Sequence, residues 1–165
     1  MDNAFADLLE ANEKYAATFE EGGFDGIARA GVAVITCMDS RIEPLRMLGL
    51  NLGDAKILRT PGGRITPDAL TGCILGTHVL GVDRILVVPH TRCAMASGDD
   101  EAIASKVEAE TGVNIHGALL GASTRQRDAL HYDVELLRSH PLIGKRAVVG
   151  GFMYDVDSGK LNPIE

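Results

Sequence analysis

The sequence predicts an α/β fold: a single domain over residues 1–165 with a mainly parallel central sheet flanked by helices. Three observations predict it. First, "GVAVITCMD" (31–39) and "RILVVPH" (84–90) are continuous apolar runs of strand length, rich in β-branched residues, which suits strands buried on both faces. Second, helical segments separate these and two further strand candidates, and such alternation points to parallel pairing through crossovers. Third, 165 residues are enough to bury one core without disulfide help.

Taken in order, Phe5, Leu8, Leu9, Tyr15, Ala16 and Phe19 share roughly one helical face, so residues 2–20 read as an amphipathic helix. "EEGGFDG" is a loop and "GVAVITCMD" the first strand. "EPLRMLGL" is a short helix that Gly49 can end, "AKILRT" (55–60) a second strand and "PGGRI" a turn. Thr66-Pro67-Asp68 starts a helix with a capping hydroxyl, a proline at the first helical position and an acid in the first turn. That helix runs to about Leu80 and stops at Gly81. "RILVVPH" is the third strand. "DDEAIASKVEAETG" and "STRQRDALHYDVELLRSH" are two more helices. "KRAVVGGFMYDV" is a fourth strand, and "DSGKL" a turn into a short antiparallel edge strand. Repeats, low-complexity tracts and linkers are absent from the sequence.

Charge and composition exclude several classes of function. A net charge of −7 offers no basic face for phosphates, so nucleic acid is not expected as a partner. No apolar run approaches the roughly 18 residues that span a bilayer, and the acidic N-terminus lacks the basic and apolar regions of a secretory signal. Those features predict a cytoplasmic protein with no membrane partner. Three cysteines, an odd number in such a chain, argue against a disulfide framework. With no Trp, three Tyr and four Phe, the core must be built mainly from aliphatic side chains.

Two short motifs carry chemistry. "CMDSR" sits at the carboxyl end of the first strand and "HTRC" at the carboxyl end of the third. Ligands of parallel α/β sheets bind beyond those ends, where the strand order reverses. If the order runs 2-1-3, Cys37, His90 and Cys93 can converge on one crevice. Two thiolates and an imidazole suit Zn²⁺, and three protein ligands leave an open position, as in catalytic rather than structural sites. Asp39 and Arg41 lie at alternate positions beside Cys37 and can point the same way if the extended conformation persists. Arg41 can then hold the Asp39 carboxylate with two hydrogen bonds and keep it ionised. An ionised carboxylate there can orient a zinc-bound hydroxide.

In this order and with this separation, the two motifs resemble the Cys-x-Asp-x-Arg and His-x-x-Cys motifs of the β-class carbonic anhydrases, in their compact bacterial and archaeal branch. "RTPGG", "RMLGL" and "GGFMYDVDSGKLNPI" resemble the family as well, so the likeness spans about residues 30–160. The resemblance implies strand order 2-1-3-4 and a homodimer or higher homo-oligomer, with residues 1–22 as a dimerisation helix that packs on a partner subunit. It implies one Zn²⁺ per subunit on Cys37, His90 and Cys93, with Asp39 and Arg41 as the orienting dyad. Zinc hydroxide would attack CO₂ to give bicarbonate and a proton. The family's allosteric bicarbonate pocket uses a tryptophan, and this chain has none, so that regulation is expected to be absent.

The chain departs from the family at Ala94, where glycine is common, and at Thr60-Pro61, where Asn-Ala is usual. Ala94, Gly62 and Gly63 are expected to border the substrate pocket, so these departures bear on pocket shape rather than on metal binding. Gly62 and Gly63 also fit a tight turn, and "GGR" lacks the spacing of a phosphate-binding loop. Cys73 reads as core packing and His78 as structural. His116, His131 and His140 have no evident partner. Plainer readings of the motif residues are a buried strand cysteine, a core histidine and a surface ion pair. Rival functions are a CS₂ or COS hydrolase on the same scaffold, a thiol enzyme using Cys37, and a zinc-binding protein without activity. The Cys37-to-Arg41 spacing is too short for a tyrosine-phosphatase loop, and no Cys-x-x-Cys is present.

Overall fold

Every residue of the first strand, β1 (Val32–Cys37), is buried, as its unbroken apolar run requires of a central strand. The structure, a computed structural model, describes residues 4–164. β1 pairs in parallel with β2 (Ala55–Thr60) on one side and with β3 (Arg84–Val88) on the other. β3 pairs in parallel with β4 (Val148–Tyr154), and β5 (Leu161–Pro163) closes that edge antiparallel to β4. The sheet order is therefore β2-β1-β3-β4-β5, which extends the expected 2-1-3-4 by the antiparallel edge strand. No helix among the described residues is long and apolar enough to cross a membrane.

Alternation along β1 sends its residues to opposite faces of the sheet. Ala33 and Ile35 join a core with Cys73, Val87, Leu130, Leu137 and Ile143. This face lies under α3 (Pro67–Val79) and α5 (Gln126–Ser139). Val32, Val34 and Cys37 join the opposite core with Ile42, Val88 and Tyr154, against Leu48, Leu50 and Phe152. The short α2 (Pro44–Met47) borders it and gives way to Gly49 at φ 66°.

Helix limits follow local capping chemistry. Thr66 accepts a hydrogen bond from the Ala69 amide and starts α3, as the Thr-Pro-Asp pattern predicts. Asp99 caps α4 (Asp100–Thr111) in the same way, and Gly112 ends it in the left-handed conformation. α1 spans Ala6–Ala17, and the first residues of the expected 2–20 helix lie outside the described ones. α5 begins at Gln126, three residues later than expected, because the segment before it is tied elsewhere. The Ser123 amide donates to Met95 O and the Gln126 side chain donates to His90 O.

Residues 113–125 form an irregular segment, which takes in the stretch between the two expected helices and the first three residues of the second. Asp100 accepts the amides of Leu120 and Ala122, and Arg64 donates to Gly121 O. His116, left without a partner at first reading, lies between Glu101 and Glu108. Those two carboxylates raise its pKa.

One ion pair crosses the core. Arg64 Nε donates to Asp133 Oδ2 at 2.6 Å and Nη2 to Oδ1 at 3.2 Å, and the Ile65 amide adds a third bond to Oδ2. Only 2% of the Asp133 side chain is exposed. Asp133→Ala would leave a half-buried guanidinium uncompensated, at a cost of about 3–5 kcal/mol. Equilibrium urea unfolding should show that loss as a lower midpoint.

Candidate metal centre

β1 and β3 end side by side, with Thr36 opposite Val88. The Thr36 hydroxyl donates to Val88 O at 2.7 Å and locks the two strand ends together. Cys37 is the last residue of β1. Beyond Val88 the chain continues through Pro89 to His90, which bridges in parallel to Tyr154 of β4. Pro89 O and the Thr91 amide both bond to Tyr154, so His90 is held between two anchored neighbours. Arg92 then adopts φ 53°, the one positive φ at a non-glycine among the described residues. That turn brings Cys93 back toward Cys37.

The result is a cluster of three buried side chains. One ligand atom each from Cys37, His90 and Cys93 lies within 4.8 Å of the other two. The two sulfurs are 3.9 Å apart and both thiols are free. Two thiolates at about 2.3 Å from a tetrahedral zinc lie roughly 3.8 Å apart, so this spacing fits one ion. A disulfide needs about 2.05 Å.

His90 is the sharper indicator. Its Nδ1 donates to Thr91 O at 2.8 Å, which leaves Nε2 with a free lone pair. Among the described residues, Nε2 is the one buried side-chain nitrogen or oxygen without a hydrogen-bond partner. A residue with 0% exposure does not leave a polar atom orphaned without reason. A metal ion would satisfy it.

Burial alone would raise the Cys37 thiol. The contact with His90 and the amides of Asp39 and Gly62 outweigh burial and bring it down to about 7. Cys93 moves the other way, chiefly through burial. Cys73 has no such neighbours and is pushed up to about 12 by burial, as an inert core thiol should be. His78 Nε2 donates to Leu142 O at 2.7 Å and is not one of the cluster's residues.

Asp39 and Arg41 come together by a turn and not by a continued strand. β1 stops at Cys37, the Arg41 amide donates to Asp39 Oδ1, and the Ile42 amide returns to Asp39 O. Arg41 Nε reaches Oδ1 at 2.9 Å and Nη2 reaches Oδ2 at 2.8 Å. The extended conformation does not persist past Cys37, yet the pair still forms, because the aspartate bends the chain by accepting its own downstream amide. The Arg41 side chain, then its amide, hold the Asp39 carboxyl well below the usual carboxylate range. Asp39 Oδ2 lies 3.6 Å from His90 Nε2, at the edge of the cluster.

An open cleft leads to this point, walled by Met38, Pro61, Ala94 and Met95 with Cys37, Asp39 and Cys93. Of the three expected pocket residues Ala94 walls this cleft, while Gly62 and Gly63, both at positive φ, line a neighbouring cavity with Arg64, Pro89 and Met95. Gly62 backs onto Met95, while Gly63 presses against the backbone of Pro89 and Cys37. The Thr60 hydroxyl donates to Arg64 O across this turn, so the Thr60-Pro61 departure closes the turn by its own means.

Residues 32–161 match the protein family described as carbonic anhydrase. The chain belongs to the β-class carbonic anhydrase family. It is 28% identical over 158 residues to β-carbonic anhydrase 1 of Mycobacterium tuberculosis, covering 96% of each chain. It is 34% identical over 152 residues to a carbon disulfide hydrolase of Acidianus sp., covering 78% of this chain and 74% of that one. Its structure superposes on the carbonic anhydrase of Streptococcus mutans with a TM-score of 0.90 at 30% identity, covering 98% of this chain and 97% of the other.

Three supporting residues escaped the sequence reading. Gln126 holds His90 O, Arg64 braces the glycine turn through Asp133, and Arg59 donates to carbonyls after β1. Their partners are 36, 69 and 22 residues away along the chain. Only "RTPGG", quoted for its likeness to the family, contained a hint of one of them.

A side chain at Gly63 would meet Pro89 Cα at 3.2 Å and the Cys37 and Pro89 nitrogens at 3.3 Å, in a left-handed backbone. Gly63→Ala is expected to cost about 1–2 kcal/mol from the backbone conformation alone. It should also push the Cys37 end of β1 away from His90. Thermal unfolding and zinc content measured together should both fall.

Proposed function

We propose that this chain catalyses the zinc-dependent, reversible hydration of CO₂ to bicarbonate and a proton. The observation that carries the reading is the orphaned, fully buried His90 Nε2 facing two free thiols. Cys37, His90 and Cys93 would hold one Zn²⁺ per subunit. Bound there, zinc would supply the Lewis acidity that brings a water molecule's pKa from that of bulk water toward neutrality.

The remaining work falls to the chain's own residues. Asp39, ionised because Arg41 holds both its oxygens, accepts a hydrogen bond from the attacking water and so turns an oxygen lone pair toward the substrate carbon. Arg41 cannot give up its proton at working pH and keeps Asp39 from swinging away. Met38, Pro61, Ala94 and Met95 give a linear apolar molecule a place beside the site without competing hydrogen bonds. The proton released on hydration leaves through the open mouth of the cleft to buffer.

Carbon disulfide hydrolysis is the second reading. It is favoured by the 34% identity to the Acidianus hydrolase and by the mainly apolar walls of the cleft. Stopped-flow CO₂ hydration by reduced, zinc-assayed protein near pH 8.5 separates the two. Turnover in proportion to zinc supports CO₂ as substrate. Full zinc with no CO₂ turnover, together with H₂S release from CS₂, would move the assignment to the second reading.

The ligand and dyad roles are separable by substitution. Cys37→Ser and His90→Ala should lose zinc and activity together. Asp39→Asn should keep zinc and lose most of its rate, roughly a hundredfold or more, because the orienting acceptor is gone. Fully active Asp39→Asn would refute the dyad's role.

We propose further that the enzyme is a homodimer formed through α1. No residue of this helix is buried, and Leu8, Leu9, Tyr15 and Phe19 are all exposed. A second copy of the chain is the occupant that the family resemblance implies. Leu9→Glu should convert the sedimenting species to monomer, with the absorbance of the protein kept at one concentration throughout.

A further inference from the structure

Arg59 lies at the end of β2, opposite Thr36 of β1. Its guanidinium reaches past the end of β1. Nε donates to Cys37 O at 3.0 Å, while Nη2 donates to Asp39 O at 2.7 Å and to Ile42 O at 2.9 Å. One edge of the fork carries three hydrogens, and here they meet three carbonyls. Two of those carbonyls bound the turn that carries Arg41. Asp39 O opens it, also accepting the Ile42 amide at 3.2 Å, and Ile42 O follows it. The third belongs to Cys37 itself.

We infer that Arg59 is a positioning residue for the hydration reaction, clamping both ends of the Asp39–Ile42 turn so that the Asp39 carboxylate stays paired with Arg41 beside His90. The inference rests on the carbonic anhydrase reading. Arg59 donates to the backbone carbonyls of Cys37, Asp39 and Ile42 and not to a sulfur, to the imidazole or to the Asp39 carboxylate, so it acts through Asp39 and Arg41. Without the clamp the turn retains the Ile42-to-Asp39 bond and the Arg41 contacts, but nothing ties it to the neighbouring strand through these carbonyls. A lysine cannot replace the clamp, because a single ammonium does not occupy both the Nε and Nη2 positions of a rigid fork.

Wild type, Arg59→Lys, Arg59→Gln and Arg59→Ala, all zinc-loaded, test this by stopped-flow CO₂ hydration across pH. Rates are taken per bound zinc, with thermal unfolding alongside. Arg59→Lys is expected to keep zinc and to melt near wild type. Its kcat per zinc should fall roughly tenfold to a hundredfold, with KM little changed. Methylguanidinium added to Arg59→Ala should restore part of the rate, which a purely structural role would not allow. Two results would overturn the inference: Arg59→Lys matching wild type per zinc at every pH, or every variant losing zinc in step with activity. The second result would mean that Arg59 only secures the Cys37 end of β1. Should Arg59→Ala not fold, the lysine and glutamine variants decide. A zinc-loaded wild type that hydrates no CO₂ would fail the function reading itself, a result distinct from either of these.

Discussion

Parallel pairing between β1 and β3 is the constraint on which the rest of the structure depends. It sets Thr36 opposite Val88 and so brings residue 37 and residue 90 to the same end of the sheet. Because β2 lies on the other side of β1, the chain must leave β1, form the edge strand, cross back through α3 and return on the far side. The crevice at that reversal is where parallel sheets of this kind place their ligands. The apolar character of β1 and β3 supplies the driving force, since β1 is buried throughout and Ile85, Val87 and Val88 of β3 are buried with it.

Arginines organise what the strands leave unfinished. Hydrogen bonding between strands runs out at the carboxyl end of β1, and buried or half-buried carbonyls there need donors. Arg59 supplies them to Cys37, Asp39 and Ile42. Arg41 supplies them to Asp39 and reaches Arg92 O in the opposite loop at 3.2 Å. Arg64 supplies them to Asp133 and Gly121, fastening the glycine turn to α5 and to the segment before it. The planar fork of the guanidinium suits all three tasks, because each asks for two or more donors in fixed relative positions.

The same local rules explain where the site is soft and where it is rigid. His90 is pinned through its ring nitrogen, its carbonyl and its neighbours' backbone, leaving one atom free to bind. Cys37 and Cys93 share burial yet differ in acidity, because only Cys37 gains enough from His90 and nearby amides to overcome it. The walls of the open cleft beside these groups are mainly apolar. Ala94 adds a methyl group to that wall.

The buried strands, the start of α3 and the metal-binding residue types were legible because each depends on local chemistry, whereas the strand order came with the family resemblance. A continuous apolar run calls for a buried strand, Thr66-Pro67 starts a helix, and Cys-x-Asp-x-Arg with His-x-x-Cys presents soft ligands and a fixed carboxylate wherever the chain carries them. The pairing of Asp39 with Arg41 was legible, but not the bend that achieves it, since the end of a strand depends on where its neighbours stop. The start of α5 was placed three residues early for a similar reason: Asp100, Arg64 and Met95 hold the segment before it from elsewhere in the chain. The sequence by itself determined which groups this protein can bring to bear on a metal ion and a small apolar substrate. Only the tertiary structure decided their distances and their partners, because hydrogen bonds between residues 20 to 70 positions apart exist only once the sheet has closed the loops between them.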